Sequence, residues 1–151
     1  MWFCTNNGLL TIDTRQKDFF CYRHDPNENS ADFIYGLYRT RQGDFLVGNE
    51  SGVDRFDSKT KSFSHFPLIE RGKDINAAAT VAIMQDSKDI VWFGGVAGIA
   101  SYNPFTKESR QYHLHNDSSD IRNELTIGIA EDKNGNIGRR TLAEVSMALI
   151  P

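Results

Sequence analysis

The sequence predicts an all-β chain: a β-propeller fragment of about three four-stranded antiparallel blades, a partial propeller that is not closed alone. Three observations predict it. A unit of about 45 residues recurs along the chain, each unit reads as four short strands bounded by turn residues, and no window before the last dozen residues sustains a helical apolar period.

The repeat is fixed by markers in one register. Gly8, Gly52 and Gly98 stand 44 and 46 residues apart, with Asp13, Asp57 and Asn103 five residues beyond them. Tyr22, Phe66 and Tyr112 keep the same spacing. In the third unit the strands are expected over 80–85, 90–94, 98–103 and 109–113. Apolar and aromatic residues fill them, and Gly, Asn, Asp, Ser and Pro bound them. The second strand is apolar at consecutive positions, as a strand covered on both faces should be. The recurring glycine falls in the turn between second and third strands, where positive φ is often needed.

Blade parts are expected at 1–22, 33–66, 79–113 and 126–137. The pattern opens in a second strand at Trp2 and ends in a first strand over 126–131, so two full units and one divided unit amount to three blades. Closed propellers use about 4 to 8. An open arc exposes strand edges, so other propeller blades or a second copy of the chain are the expected partners, with the last strand of one copy completing the first blade of another. Residues 138–151 show no propeller pattern and are expected outside the fold, as a cloning scar, a frameshifted end or a helix covering an edge.

Trp2-Phe3-Cys4-Thr5-Asn6-Asn7-Gly8-Leu9, followed by Ile12-Asp13, Phe19 and Tyr22, resembles the two-component regulator propeller repeat. Val91-Trp92-Phe93-Gly94-Gly95-Val96-Ala97-Gly98-Ile99 with Tyr102-Asn103, and Ile129-Ala130-Glu131-Asp132-Lys133-Asn134-Gly135-Asn136, resemble it most. The resemblance covers 2–137 and implies the periplasmic sensor region of a hybrid two-component system sensor histidine kinase of Bacteroides type, responding to an oligosaccharide. Cys4 replaces the usual glycine of the first unit, Phe45-Leu46-Val47 lacks the usual aromatic at its second place, and Ser109 stands where Phe19 and Phe63 are aromatic. No kinase segment is among these residues, so kinase activity would belong to a longer parent.

Of 151 residues, 39% are hydrophobic and 25% charged, enough for about one globular domain. No stretch reaches the ~20 apolar residues of a membrane span, so no membrane segment is expected in this fragment. Met1-Trp2-Phe3-Cys4 does not open a signal peptide. A net charge of −3 argues against nucleic acid. Cys4 and Cys21 are too few for a disulfide framework and match no zinc spacing. No cofactor is expected. No nucleophile with its base, phosphate loop or H-E-x-x-H pattern is present, so no catalysis is expected in the fragment.

Up-and-down connectivity places the turns 5–8, 49–52 and 95–98 on one face with the long links 23–33, 67–79 and 113–124. Long polar links carry function more often than scaffold strands do. Sugar recognition needs planar amide, carboxylate and guanidinium groups beside an aromatic surface. Tyr22, His24, Asp25, Asn49, Arg71, Tyr112, His113 and His115 are therefore the candidate residues for a small-molecule ligand. His113 and His115 share a strand face, but without further ligands at fixed spacing no metal site is expected. Two other readings are a propeller scaffold for protein–protein interaction and a glycan-cleaving or lyase propeller.

Overall fold

The computed structural model describes residues 1–24, 32–76, 78–112 and 125–142. Strands β1 (Trp2–Thr5), β2 (Gly8–Asp13) and β3 (Asp18–Tyr22) form a three-stranded sheet. Strands β4 (Ile34–Arg39), β5 (Phe45–Asn49), β6 (Gly52–Asp57) and β7 (Ser62–His65) form a four-stranded one. A two-stranded hairpin, β8 (Ile69–Glu70) and β9 (Lys73–Asp74), interrupts the second long link. Four more strands, β10 (Thr80–Gln85), β11 (Val91–Gly95), β12 (Gly98–Tyr102) and β13 (Ser109–Tyr112), make the third large sheet. Finally β14 (Thr126–Glu131) pairs with β15 (Ile137–Thr141). Every pairing between these described strands is antiparallel and joins neighbours in sequence, so the sheets are blades of an unclosed propeller.

The turns repeat as faithfully as the sequence does. Gly8, Gly52 and Gly98 have φ of 109°, 133° and 88°, a region that only glycine enters without strain. At the other end of the third strand, Asp13, Asp57 and Asn103 accept hydrogen bonds from the amides two residues on, at 2.8, 2.7 and 2.9 Å. Such Asx turns fold the chain back locally. The bottom turn of the third blade is built on buried Asp86, whose Oδ1 accepts from the Lys88 and Ile90 amides, both at 2.9 Å. Its Oδ2 accepts from the Trp92 indole Nε1 at 2.7 Å.

The core lies between the sheets. Leu9, Ile34, Val47 and Phe56 are buried between the first and second, with Trp2, Tyr22, Phe45 and Phe63 packed around them. Leu46, Val53, Phe66, Leu68, Val91 and Phe93 fill the next interface, and Trp92, Ile99 and Ile137 the third. Both faces of β5 and β11 are thus covered, which explains their consecutive apolar residues. Sheets are also tied along the bottom face at the period of the repeat. The Arg41 amide donates to Gln85 Oε1 at 2.9 Å, and Ser87 Oγ to Glu131 Oε1 at 2.6 Å. On the open side of the first sheet Phe3 and Phe19 are exposed, whereas Val47 and Phe63, one repeat later, belong to the first inter-sheet core.

Two expectations are corrected. The fold does not stop at 137: residues 138–141 continue the last hairpin, with Glu131 opposite Ile137 and Thr126 opposite Thr141. The turn at Asp132, which accepts from the Asn134 and Asn136 amides at 2.8 and 2.9 Å, closes this hairpin, so residues 138–141 pair although they carry no propeller pattern. Consequently β14 already has a partner in its own chain on the edge that was expected to complete another copy's first blade. Residues 143–151 lie outside the described residues.

Replacing Asp86 with alanine removes the acceptor for two turn amides and a buried indole. An unpaired buried donor costs about 1–3 kcal/mol. The Asp86→Ala variant is expected to lose about 3 kcal/mol in urea unfolding, and a loss within experimental error would show that the turn does not depend on this carboxylate.

Candidate functional site

On the top face, side chains from three strands and the link between β3 and β4 converge. His24 follows β3, Asp32 precedes β4, Asn49 ends β5, Asp54 lies on β6 and His65 ends β7. Asp54 and His65 are cross-strand partners. His24 Nδ1 lies 2.7 Å from Asp32 Oδ1, and Nε2 lies 2.7 Å from Asp54 Oδ2. The His24 ring stacks on Phe63 at 4.1 Å with 24° between planes. Asn49 donates through Nδ2 to Asp54 Oδ2 and accepts the Ser51 amide at 2.8 Å. His65 Nε2 meets Asp74 Oδ2 at 2.7 Å, while its Nδ1 stands 4.0 Å from Asp54 Oδ1.

Electrostatics follow from these contacts. Burial opposes a charge on His24, but hydrogen bonds to Asp54 and Asp32 outweigh it and raise the imidazole above the ordinary histidine value. For Asp74, burial again favours the neutral form. Hydrogen bonds from His65 and from the Asn76 and Leu68 amides prevail, holding the carboxyl below the usual range. Beside this network lies a concavity lined by His24, Asp32, Phe33, Asn49, Glu50 and Asp54. At its rim Phe33 and exposed Tyr35 stack at 6.2 Å and 15°, and the Tyr35 hydroxyl donates to Glu50 Oε1 at 3.2 Å. The arrangement offers carboxylates, an amide and an aromatic face to one small volume. Among the described residues no group of three or more His, Cys, Asp and Glu is placed to hold a metal ion.

Of the candidates read from sequence, His24 and Asn49 come together here. Tyr22 does not: strand alternation turns its ring inward against Trp2 and Phe56, at 6.1 and 5.2 Å, so it serves the core. Arg71, in the β8–β9 turn, and Tyr112 line a separate groove with Glu70 and Arg110. There the Tyr112 ring packs on Trp92 at 5.3 Å with the Arg110 guanidinium 5.1 Å away. Asp25, His113 and His115 lie outside the described residues. Sequence reading missed Asp32, Asp54, His65, Phe33 and Glu50. A signal was there: one repeat away, Asp54 corresponds to Leu10 and Ala100, and His65 to Cys21 and Gln111, so only the second unit places an acid opposite a histidine.

No protein-family model and no curated protein sequence matches the chain. Solved structures do. The extracellular domain of the hybrid two-component system protein BT4673 of B. thetaiotaomicron superposes with a TM-score of 0.72 and 21% identity, over 99% of this chain and 20% of that one. The extracellular domain of BT3049 from the same organism matches with a TM-score of 0.67 and 17% identity, over 93% and 19%. PorZ, a surface component of the type-IX secretion system of Porphyromonas gingivalis, gives 0.67 and 16%, over 93% and 23%. The fold is therefore that of a portion of these much longer chains: this one spans about a fifth of the length of the two-component proteins it matches.

The lowered Asp74 value makes a signed prediction. Its contribution to stability is complete above the unfolded-state value of about 4 and disappears as pH falls through the lower folded value. An Asp74→Asn variant is expected to be less stable at neutral pH and to lose less stability than the wild type on acidification below about pH 4. Urea unfolding across pH checks this, and parallel acid limbs would contradict it.

Proposed function

We propose that the chain is part of the ligand-sensing extracytoplasmic region of a hybrid two-component system protein, built from two-component regulator propeller repeats and located in the periplasm, and that it binds an oligosaccharide on its top face. The fold likeness to extracellular domains of such proteins supports the class. The repeat pattern supports the family. The observation that carries the site is the Phe33–Tyr35 pair beside Asp32, Asn49 and Glu50. A pyranose ring presents an apolar face to stack on an aromatic and a rim of hydroxyls that carboxylates and amides can bind bidentately.

In this reading the fragment has no chemistry of its own. Binding is converted into a shift in how the sheets pack, which a distant catalytic domain reads. Tyr35 supplies the stacking surface, Asn49 and Asp32 the polar contacts, and the β4–β5 strands a rigid support.

Titration of the chain with a panel of soluble oligosaccharides at millimolar concentration, followed by amide NMR shifts, tests the reading. At least one sugar is expected to perturb residues 32–35 and 49–54, with affinity reduced about five- to thirtyfold in Tyr35→Ala, since loss of a stacking contact costs roughly 1–2 kcal/mol. Absence of any shift across the panel would overturn it.

A further inference from the structure

We infer that His24 is a proton-operated tie between the first and second sheets: protonated, it holds Asp32 and Asp54 together, and on losing its proton it must release one of them. The tie stands on geometry alone. Its effect on ligand affinity rests on the oligosaccharide reading above.

A neutral imidazole has one N–H donor and one lone pair. Both ring nitrogens of His24 lie 2.7 Å from a carboxylate oxygen, so both contacts are hydrogen bonds only when the ring is an imidazolium. After deprotonation a lone pair would face a carboxylate at that distance, and one partner has to move. Each carboxylate is largely buried, with side chains 14% and 13% exposed, so water replaces the lost contact poorly. Asp32 is anchored besides: its Oδ2 accepts the His24 amide at 2.8 Å and its carbonyl accepts the Gly8 amide at 2.8 Å. Movement at Asp32 or Asp54 is thereby transmitted to the junction of the two sheets.

The surroundings set the sign. Facing the ring from the second sheet are Asp54 and the Phe63 ring, with the Asn49 amide on Asp54 and Glu50 in the same concavity. His65 approaches the second Asp54 oxygen at 4.0 Å and is itself paired with Asp74. On the first-sheet side, Arg23 reaches Asn7, and Lys61 of the loop before β7 lies over the Tyr22 ring at 5.3 Å. Asp32, Asp54 and Asp74 each lie within ion-pair distance of His24 or His65, and Glu50 lines the same concavity. Proton loss therefore leaves adjacent carboxylates facing one another. The corresponding positions in the other units, Leu10 and Ala100 for Asp54 and Cys21 and Gln111 for His65, cannot form this tie, so among the described residues only this sheet interface carries it.

The tie's contribution is complete below the unfolded-state histidine value of about 6.5 and is lost as pH rises through the higher folded value. The test is side-chain nitrogen NMR of the histidines across pH 5 to 9, alongside urea unfolding of the wild type, His24→Gln and His65→Gln at the same pH values. Expected are a doubly protonated His24 with a midpoint above the ordinary histidine value, and a fall in stability toward alkaline pH that His65→Gln retains and His24→Gln lacks. A single-tautomer His24 at pH 6, or an unchanged alkaline slope in His24→Gln, would overturn the inference. If His24→Gln does not fold, the wild-type titration alone decides. Sugar titration at pH 6 and 8.5 separates the two readings: a binding sugar should lose affinity several-fold at the higher pH, equal affinity would overturn the coupling, and no binding with the NMR result intact would leave the tie standing and sink the oligosaccharide reading.

Discussion

From the second sheet onward, neighbouring sheets approach one another at their inner strands more closely than a side chain would allow, and the packing between them is organised around that approach. A Cβ at Gly48 of β5 would stand 2.4 Å from the carbonyl oxygen of Thr80 on β10. One repeat later, a Cβ at Gly94 of β11 would stand 2.7 Å from Thr126 Cγ2 on β14. Neither glycine has positive φ, so the absent side chain and not backbone freedom is what matters. With the strands this close, Leu46 and Val53 reach Val91 and Phe93 across the second and third sheets, and Trp92 reaches Ile137 across the next pair. The first sheet has Cys4 at the position of Gly48, and Ile34 stands one repeat before Thr80.

Packing of the first sheet on the second creates the top-face site. The links that end one sheet and begin the next are brought over the turn of the second sheet, and His24, Asp32 and Asp54 meet although they are distant in sequence. Asn76 shows how firmly the next link is held: its amide donates to the Val53 and Phe66 carbonyls, both at 2.7 Å, and accepts the Val53 amide at 2.8 Å. A polar residue of a long link is thus part of the scaffold. The acidic and imidazole groups nearby, not required by the stacking, are free to serve binding and charge.

What could be read from sequence was whatever the repeat imposes locally. Gly52 and Asp57 announce their turns because φ and side-chain hydrogen bonding are decided within four residues. Val91-Trp92-Phe93 announces a doubly covered strand because three consecutive apolar residues have no other use. Tyr22 was misread because an aromatic at a strand end looks alike whether it faces core or solvent, and only the register against Leu9 decides. β15 was missed because Gly138-Arg139-Arg140-Thr141 has no apolar pattern, its strand state depending on β14 across the hairpin. The His24 network was illegible for a similar reason, since its parts are joined by packing alone. Even so, Asp54 and His65 depart from the other units at matching positions, and comparing each unit with its siblings would have singled them out.

Substituting glycine with alanine at two contrasting positions tests the dependence on close approach. In Gly48→Ala the new methyl must displace a backbone carbonyl, and overpacking of this kind costs about 3 kcal/mol. In Gly128→Ala the methyl meets Arg140 Cβ at 3.6 Å, an ordinary contact, and φ is not positive. That substitution should be neutral or stabilise slightly, because alanine restricts the unfolded chain by about 0.4–1 kcal/mol. Urea unfolding of both variants beside the wild type should give a large loss for the first and none for the second. Equal stabilities for the two variants would contradict the account.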